Sequence, residues 1–318
     1  MDMKKVSICI GCYNEEKNIE NIYQKIVEIM ERLPQYTFEI IFSDNDSQDD
    51  SQKILRNITD KDKRVKAIFN TRNFGATRSG RNGLLAATGD CAIGIACDFQ
   101  EPPEMIPVFL EYWEEGNKLV WGEKVRSREN KVKYFFRSLY YSIIDSMSDI
   151  PQYRQVTGFG LYDRLILDEI RKANDPYIPI RFLIADLGFK IKLIPYVQEK
   201  RHGGKSSFSL WKYLDFSINS LVQTSTLPLR ISTLLGILIG GVSFVIGLIY
   251  LICKLVYWDK FSSGMAPILI GLFFLGGIQL IFIGIVGEYV GAILKKLSNT
   301  PLVVEKEKIN FGEDYETK

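Results

Sequence analysis

Two long stretches without a charged residue lie near the carboxyl end, and they constrain the fold more than any other feature. They run from Ile231 to Cys253 and from Ser262 to Gly287. Each is longer than the roughly 20 residues that a helix needs to cross the hydrocarbon core of a bilayer. Buried core helices are the alternative, but an uncharged helix of this length is rare in a soluble domain. The pattern predicts two transmembrane helices, at about 231–256 and 264–289.

The two predicted helices form a hairpin, because only the segment from Lys254 to Phe261 separates the stretches. Both ends of a hairpin face the same compartment. Arg230 before it and Lys295-Lys296 after it favour the cytoplasm by the positive-inside rule, although the two lysines of the connecting segment weaken this argument. Met1 to Lys5 lead into a short predicted strand and not into a signal peptide. We therefore expect a multi-pass protein of the cytoplasmic membrane, with its large amino-terminal part in the cytoplasm.

The amino-terminal part alternates short apolar segments with segments of helical periodicity. Strands are predicted at 6–12, 38–46, 65–70, 91–98 and 118–125, and helices at 14–33, 51–58, 79–88 and 104–115. In the first helical segment, Ile19, Ile22 and Ile26 recur at helical spacing, with Asn14 as a candidate N-cap. Alternation of this kind predicts an α/β fold, in which helices cover a mainly parallel sheet.

Acidic side chains follow three of the predicted strands. The segments are GCYNEE after the first strand, SDNDSQDD at the end of the second and CDFQEPPE at the end of the fourth. Ligands of such sheets bind outside the carboxyl ends of the strands, so these segments should meet at one edge. One acidic loop would be an ordinary solvated turn, but three together repel one another unless a divalent cation or a donor-rich ligand is bound. Their oxygen ligands suit Mg²⁺ or Mn²⁺, which proteins often hold together with substrate phosphates.

The charge balance and the cysteines do not indicate nucleic-acid binding or zinc chemistry. Lys and Arg number 40 against 38 acidic residues, a formal charge of +2, so charge gives no sign of a nucleic-acid partner. Cys9 and Cys12 form a C-x-x-C, but strand alternation places them on opposite faces, and Cys91 and Cys97 also lie in a predicted strand. We interpret all four as small buried hydrophobic residues, with a zinc or redox site as the minor alternative.

Six motifs, in their order and spacing, resemble the family 2 glycosyltransferases that act on polyprenyl phosphates, such as dolichol-phosphate mannose synthase and the bactoprenol-phosphate glucosyltransferases. They are YNEEKNI, SDNDSQDDS, RNFGATRSGRNGLLAATGD, DFQEPPEMI, GFGLYDR and GIVGEYVGAILKK. The resemblance covers about the whole chain. It implies a nucleotide-diphospho-sugar transferase domain of the GT-A type at 1–204, a juxtamembrane amphipathic segment at 205–230, the transmembrane hairpin at 231–289 and a cytoplasmic tail at 290–318.

The resemblance also implies the reaction. A hexose or N-acetylhexosamine would pass, with inversion, from a nucleotide diphosphate sugar to undecaprenyl phosphate at the cytoplasmic face, supplying a lipid-linked sugar for cell-wall or surface-glycan modification. UDP-glucose and UDP-N-acetylglucosamine (UDP-GlcNAc) are the favoured candidate donors, and GDP-mannose is a less favoured one. Membrane lipid is a further partner, and the bacterial relatives suggest a homo-oligomer such as a tetramer.

The same resemblance assigns roles to particular residues. Asp98 and Gln100 resemble the metal pair that holds the sugar-nucleotide diphosphate through Mg²⁺ or Mn²⁺. The residues expected to be catalytic are Asp98, Arg126 and Arg201. Arg126 and Arg201 lie in two basic segments and are expected to contact the acceptor phosphate, although a solvated loop that attracts anionic lipid is the alternative for both segments. The other residues expected to bind the nucleotide or the phosphates are Tyr13, Asn14, Glu15, Asp44, Asp46, Arg78 and Lys205.

The chain departs from the family pattern at three positions. Ala96 replaces the first residue of the usual Asp-x-Asp, so only Asp98 of that pair remains, with Gln100 and Glu101 as candidate helpers. Asn45 stands where the uridine motif usually has a second aspartate. A Gly-Asp pair of some members corresponds to Thr157-Gly158 or to Gly158-Phe159, so a carboxylate is missing there. A catalytically impaired membrane scaffold of the same fold is therefore one alternative function.

The missing carboxylates need not prevent catalysis. A phosphate monoester has a second pKa near ~6, so the acceptor is largely anionic at neutral pH and can attack the anomeric carbon without a general base. A processive polysaccharide synthase is a weaker alternative, because the chain lacks a Gln-x-x-Arg-Trp motif and two helices cannot line a polymer channel alone.

Overall fold

The computed structural model describes residues 3–126, 153, 155–173, 178–198, 222, 225–256, 265–297 and 300–312. The chain divides into two compact units, of which the first combines 1–141, 151–208 and 299–318 and the second combines 142–150 and 209–298. The predictions for Arg201 and Lys205, and for most of the segment 205–230, lie outside the described residues.

One sheet of eight strands organises the described part of the first unit. The strands are β1 (Lys5–Cys12), β2 (Thr37–Asp44), β3 (Val65–Asn70), β4 (Cys91–Ala96), β5 (Leu119–Arg126), β6 (Val156–Asp163), β7 (Lys192–Val197) and β8 (Glu305–Ile309). Their order across the sheet is β7-β5-β6-β4-β1-β2-β3-β8. The described helices of this unit are α1 (Ile19–Glu31), α2 (Ser51–Lys61), α3 (Ala76–Leu85), α4 (Met105–Glu114), α5 (Arg164–Lys172) and α6 (Ile180–Asp186).

The centre of the sheet is parallel, as the alternation of strands and helices predicts. β1 pairs in parallel with both β2 and β4, and β2 pairs in parallel with β3. These strands are apolar on both faces, since Ile8 and Ile10 belong to one core cluster while Cys9 and Ile41 belong to the other. β6 runs antiparallel to both β4 and β5. The predicted α/β fold with a mainly parallel sheet is confirmed.

The chain returns to this sheet after the second apolar stretch, in a strand that the sequence pattern did not reveal. β8 pairs antiparallel with β3. The Arg56 guanidinium on α2 donates two hydrogen bonds to the Glu307 carboxylate, at 2.6 and 2.7 Å. The Asn310 side chain donates to the carbonyl oxygens of Thr59 and Val65, both at 2.8 Å. Residues on either side of the second unit therefore belong to one sheet.

The second unit contains the two predicted apolar helices, α7 (Leu227–Val256) and α8 (Met265–Leu297). Within them, Leu227–Tyr250 and Phe274–Leu294 are long and apolar enough to cross a bilayer. The Tyr289 hydroxyl on α8 donates to the Ser225 carbonyl just before α7, at 2.7 Å. The helices predicted at 231–256 and 264–289 are thus present, and they extend beyond those bounds.

A buried carboxylate holds the amino-terminal halves of the central strands together. Glu39 on β2 is 2% exposed, and it accepts hydrogen bonds from the Ser7 hydroxyl of β1, the Thr88 backbone amide and the Lys66 ammonium of β3. Lys5 Nζ lies 2.9 Å from its Oε2. Burial alone would raise the pKa of Glu39, but the hydrogen bonds outweigh burial and lower the pKa to about 2. The carboxylate is therefore charged near neutral pH and stabilises the sheet.

Glu39→Gln should lower the melting temperature of the purified protein in detergent by roughly 5–10 °C at pH 7, since breaking a buried ion pair costs about 3 kcal/mol. Because folding lowers the pKa of Glu39, its contribution is present above the ordinary carboxyl pKa and is lost as the pH falls toward 2. The difference between variant and wild type should shrink over that range. Glu31→Gln, at the exposed end of α1, is the control. Equal melting temperatures for wild type and Glu39→Gln at pH 7 would contradict this role.

Candidate functional site

The carboxyl ends of β1, β2 and β4 meet at one edge of the sheet because these three strands are parallel neighbours. In the pairing register, Cys12 of β1 lies opposite Asp44 of β2, and Gly11 of β1 lies opposite Ala96 of β4. The acidic segments begin at or directly after these residues. The expectation that the three acidic strand ends meet at a single edge is confirmed.

Hydrogen bonds join the loop after β1 to the loop after β2. The Asn14 backbone amide donates to the Ser47 hydroxyl at 2.9 Å, and the Asn14 side-chain oxygen accepts from the Gln48 backbone amide at 2.8 Å. Asn14 has a positive φ of 55°, and α1 begins only at Ile19, with Asn18 at the N-cap position. The prediction that Asn14 caps this helix is wrong, because its side chain bonds the neighbouring loop instead.

The nucleotide-pocket residues expected in the first loop differ in exposure. Tyr13 is 41% exposed, so its ring is accessible at this edge. Glu15 is buried, its carboxylate accepts a hydrogen bond from the Asn18 side chain at 2.6 Å, and its backbone amide donates to the Ser51 hydroxyl at 2.9 Å. The loop therefore offers an accessible aromatic ring and a carboxylate that its neighbours hold in place.

Asp44 is a fully buried carboxylate at the end of β2. Its Oδ2 accepts from the Ser47 backbone amide at 3.1 Å and from the Gln52 side chain at 3.0 Å. Burial raises the pKa of Asp44, hydrogen bonds from Ser47 and Gln52 act in the opposite direction, and the charge of Asp46 raises the pKa further. Asp46 itself has a positive φ of 64°. Asp44 is thus a hydrogen-bond acceptor whose position is set before any ligand binds.

Asn45 is the centre of a hydrogen-bond network that uses both halves of its amide. Its Oδ1 accepts from the Phe74 backbone amide at 2.9 Å and from the Asn70 side chain at 3.2 Å. Its Nδ2 donates to Asn73 Oδ1 at 2.9 Å, and the same oxygen of Asn73 accepts from the Gly75 backbone amide. An ionised aspartate could not donate, so this departure from the family pattern has a structural reason.

The loop after β4 presents Asp98 and Gln100 through a left-handed turn. Phe99, between them, has a φ of 58°, and its ring packs against the core. Asp98 Oδ1 accepts from the Gln100 backbone amide at 3.2 Å. Gln100 Oε1 accepts from Gln198 Nε2 at 2.9 Å. Sequence reasoning missed Gln198, because it follows a strand far along the chain and belongs to no motif.

Asp98 and Gln100 form a sparse oxygen donor set of one carboxylate and one amide. Within the described residues, no group of three His, Cys, Asp or Glu side chains is arranged to hold a metal ion. Mg²⁺ and Mn²⁺ are often held by one or two carboxylates, with substrate phosphates and waters as the remaining ligands. An amide oxygen has two lone pairs, so the bond from Gln198 leaves Gln100 able to accept again. The donor set therefore fits a divalent cation that binds together with a phosphate-bearing ligand.

Glu101 is a buried carboxyl group beside this pair, with an exposure of 9%. Its Oε2 accepts from the Ala96 backbone amide at 2.8 Å, and its Oε1 accepts from the Thr157 hydroxyl of β6 at 2.7 Å. Burial raises the pKa of Glu101 to about 7. The next residue after Thr157, Gly158, has a φ of 98°, a backbone conformation that favours glycine. Two departures from the family pattern thus lie close to Glu101. Ala96 bonds Glu101 through its backbone amide, and Gly158 follows Thr157, which bonds Glu101 through its hydroxyl.

Of the cationic residues expected at the site, the structure describes Arg78 in full and only the backbone of Arg126. Arg78 is 7% exposed, and its guanidinium donates to the carbonyl oxygens of Leu302 and Pro301, at 2.6 and 2.7 Å. Arg126 is the last residue of β5, whose carboxyl end lies at the same edge as that of β4 because β6 is antiparallel to both. The Arg126 side chain lies outside the described part of the structure. The ligand-binding roles of Arg78 and Arg126 stay predictions.

Four of the five cysteines are buried apolar residues. Cys9, Cys12, Cys91 and Cys97 are all buried, with Cys12 in one core cluster and Cys9 in the other. Burial raises the pKa of each of these thiols, so they are protonated near neutral pH. The prediction that Cys9 and Cys12 lie on opposite faces of a strand is confirmed.

The chain is similar to glycosyltransferases along nearly its whole length. Residues 7–171 match the family model described as Glycosyl transferase family 2. The chain is 31% identical over 299 residues to the uncharacterized glycosyltransferase YkcC of Bacillus subtilis (strain 168), covering 94% of this chain and 92% of the relative. It is 30% identical over 304 residues to the SfII prophage-derived bactoprenol glucosyl transferase of Shigella flexneri, covering 95% of this chain and 98% of the relative.

Two solved structures resemble this chain at low sequence identity. The mannosyltransferase PcManGT from Pyrobaculum calidifontis, in complex with GDP-Man and Mn²⁺, is 14% identical with a TM-score of 0.48, over 95% of this chain and 89% of that chain. TarS 1-349 of S. aureus, in complex with UDP-GlcNAc, is 15% identical with a TM-score of 0.43, over 69% of this chain and 66% of that chain.

Asn45→Asp should destabilise the protein, although an aspartate at this position would match the family pattern. The new carboxylate oxygen would face Asn73 Oδ1, and turning the Asn73 amide would break its bond with Gly75. A buried acceptor without a donor costs about 1–3 kcal/mol, so the melting temperature in detergent should fall by roughly 2–10 °C. Asn21→Asp, at an exposed position of α1, controls for the added charge. An unchanged melting temperature for Asn45→Asp would show that the network does not need its donor.

Proposed function

The chain belongs to glycosyl transferase family 2, and on this premise we propose that it transfers a sugar from a nucleotide diphosphate sugar to undecaprenyl phosphate at the cytoplasmic face of the membrane. The observation that carries the proposal is the similarity to a bactoprenol glucosyl transferase over 95% of the chain. That similarity covers both a sheet of the GT-A type and two helices that are long and apolar enough to span a bilayer. Neither part alone would indicate a lipid-linked acceptor.

The donor that this proposal favours is UDP-glucose, with UDP-GlcNAc and GDP-mannose as the other candidates. Similarity to a relative named as a glucosyl transferase supports glucose. The nucleotide would bind at the loops after β1 and β2, where Asp44 offers a buried acceptor and Tyr13 an accessible ring. The other residues of the proposed donor pocket are Asn14, Glu15, Asp46 and Arg78.

Asp98 and Gln100 would hold a divalent cation, Mg²⁺ or Mn²⁺, which neutralises charge that develops on the leaving diphosphate. The chain fixes this pair before any ligand binds. The Gln100 backbone amide donates to Asp98 Oδ1, and the Gln198 side chain donates to Gln100 Oε1. Groups held in this way stabilise a transition state well, because they need not reorient as charge develops.

The acceptor phosphate needs no general base from the chain. Its second pKa lies near ~6, so one of its oxygens is anionic and nucleophilic at neutral pH. Arg126 and Arg201 are proposed to orient this phosphate on the side of the sugar opposite the leaving group, together with Lys205. Gly158, in place of a carboxylate, is compatible with this mechanism because direct attack leaves no proton to remove.

Both apolar helices are proposed to span the membrane as a hairpin. β7 precedes the hairpin in the chain and β8 follows it, yet both belong to one sheet. A chain that leaves a sheet for the membrane and returns to the same sheet must cross the bilayer an even number of times. The flanking residues Arg230, Lys295 and Lys296 favour the cytoplasm for that side. The homo-oligomeric state stays a prediction.

A catalytically impaired scaffold is the alternative, and two of the three departures from the family pattern have a local structural reason that does not require loss of activity. Asn45 donates a hydrogen bond that an ionised aspartate could not donate, and Gly158 has a backbone conformation suited to glycine. Nothing in the structure explains Ala96, because the backbone amide that bonds Glu101 would be present with an aspartate as well.

Purified protein in detergent should form a lipid-linked monosaccharide when it receives undecaprenyl phosphate, Mg²⁺ or Mn²⁺ and the correct nucleotide sugar from a panel. Mass spectrometry detects this product. Asp98→Asn should lower the initial rate roughly 100-fold or more, because metal stabilisation of the leaving group contributes several kcal/mol. The matched control is Asp90→Asn just before β4, at the opposite end of that strand, where the carboxylate accepts from the Lys5 backbone amide. This control should keep its activity.

Two results of this experiment would contradict the proposal. A folded protein that forms no product from any donor would favour the scaffold. A product that forms at an unchanged rate after chelation of divalent cations, or in Asp98→Asn, would remove the proposed metal pair from the mechanism.

The configuration at the anomeric carbon tests direct attack by the phosphate. A single displacement from the face opposite the diphosphate inverts that carbon, so an α-linked glucose donor should give a β-linked lipid phosphate. The coupling between H1 and H2 in the proton NMR spectrum of the purified product distinguishes the two forms. An α-linked product would show retention of configuration, contrary to the proposed single displacement from the opposite face.

A further inference from the structure

The loop from Asp98 to Pro103 contains an unfavourable backbone conformation. Phe99 has a φ of 58°, in the left-handed region, where a residue with a side chain costs about 1–2 kcal/mol. Such a conformation persists only where the surrounding structure enforces it, and it occurs most often at functional sites. The Phe99 ring packs against the core, and Pro102-Pro103 restricts the backbone that follows. The Phe99 ring and the two prolines restrict the loop on either side of Gln100 and Glu101, and the bonds of Glu101 restrict the part between them.

Glu101 bonds this loop to two strands at once. Its Oε2 accepts from the backbone amide of Ala96, the last residue of β4, at 2.8 Å. Its Oε1 accepts from the hydroxyl of Thr157, near the start of β6, at 2.7 Å. A buried carboxyl group is costly unless its oxygens are bonded, and here both oxygens are bonded. One side chain therefore spans the point at which the loop leaves the sheet.

The loop has a buried side and an accessible side. Glu101 is buried and Phe99 packs against the core, whereas Asp98 and Gln100 are partly exposed. The two accessible side chains are those that fit a divalent cation. The turn at Phe99 lies between these two side chains, and Glu101, two residues further on, bonds the loop to β4 and β6.

We propose that Glu101 is a positioning residue for metal-dependent donor binding, because its bonds to Ala96 and Thr157 hold the turn that directs the Asp98 carboxylate and the Gln100 amide to one ligand. The inference rests on the proposed function, since it takes Asp98 and Gln100 as the metal pair. Glu101 itself contacts neither the metal nor the donor. Its effect on binding passes through its two neighbours.

Binding of Mn²⁺ in the presence of UDP tests this role without the transfer reaction. Electron paramagnetic resonance follows free Mn²⁺ while the ion is titrated into purified protein and UDP. Glu101→Ala should weaken Mn²⁺ binding roughly 10–100-fold, the usual effect of losing a residue that orients a metal ligand. The control is Glu104→Gln, directly after this loop and before α4, where the side chain is 61% exposed and its carboxylate lies 3.2 Å from the Lys25 ammonium. This control should bind Mn²⁺ as the wild type does.

Thr157 provides a second test that leaves Glu101 in place. Thr157→Val keeps the volume but removes the hydroxyl, and with it both the bond to Glu101 and the longer bond from the Phe159 backbone amide, at 3.4 Å. Loss of the bond to Glu101 should weaken Mn²⁺ binding roughly 5–10-fold. Thr157→Ser keeps a hydroxyl and should bind Mn²⁺ with nearly the affinity of the wild type. This pair separates the hydrogen bond from packing, and it carries the test if Glu101→Ala does not fold.

The outcomes separate the role of Glu101 from the proposed function. If the wild type binds no Mn²⁺ with UDP and none when GDP replaces UDP, the proposed metal site is wrong and the role of Glu101 falls with it. If the wild type binds Mn²⁺ and both Glu101→Ala and Thr157→Val bind it equally well, Glu101 is not a positioning residue, even where melting temperatures fall. Weaker binding in these two variants, with wild-type binding in Thr157→Ser and Glu104→Gln, is the result that supports the role.

Discussion

The parallel alignment of β1, β2 and β4 is the constraint on which the rest of the site depends. Parallel neighbours end at the same edge of a sheet, so Asp44, Asp98 and the loop after β1 come together. Carboxylates gathered in this way repel one another, and hydrogen bonds from Ser47 and Gln52 offset part of that repulsion at Asp44. In the proposed complex, a divalent cation offsets it at Asp98. An edge rich in oxygen ligands thereby becomes suited to a cation and a diphosphate together.

The return of the chain to the sheet is the second constraint. β8 pairs with β3, and the Arg78 guanidinium of α3 donates to carbonyl oxygens of the segment that leads into β8. The two apolar helices thus lie in an insertion within the chain of the first unit, which continues on both sides of it. The segment that follows them holds the Arg78 guanidinium. If Arg78 binds the donor as we propose, donor binding and the integrity of that segment are linked.

Much of the fold was predictable because its signals are local. Helical periodicity predicts α1, apolar runs predict the parallel strands, and the acidic segments predict the edge at which the site lies. The missed features depend on contacts between residues far apart in the chain. β8 is short and highly charged, and although Gln100 and Glu101 lie in a recognised motif, their partners Gln198 and Thr157 lie far from it in the sequence. The conformation of Asn14 could not be predicted from the sequence for the same reason. Asparagine suits both a helix cap and a left-handed turn, and the bonds of Asn14 to the loop after β2 decide between the two.

A structure determined with UDP and Mn²⁺ bound would show directly where the donor and the metal ion bind. We expect Mn²⁺ between the diphosphate and the side chains of Asp98 and Gln100, with the nucleoside beside Tyr13 and Asp44. UDP bound away from the carboxyl ends of β1, β2 and β4 would contradict this expectation. So would a Mn²⁺–diphosphate complex that contacts neither Asp98 nor Gln100.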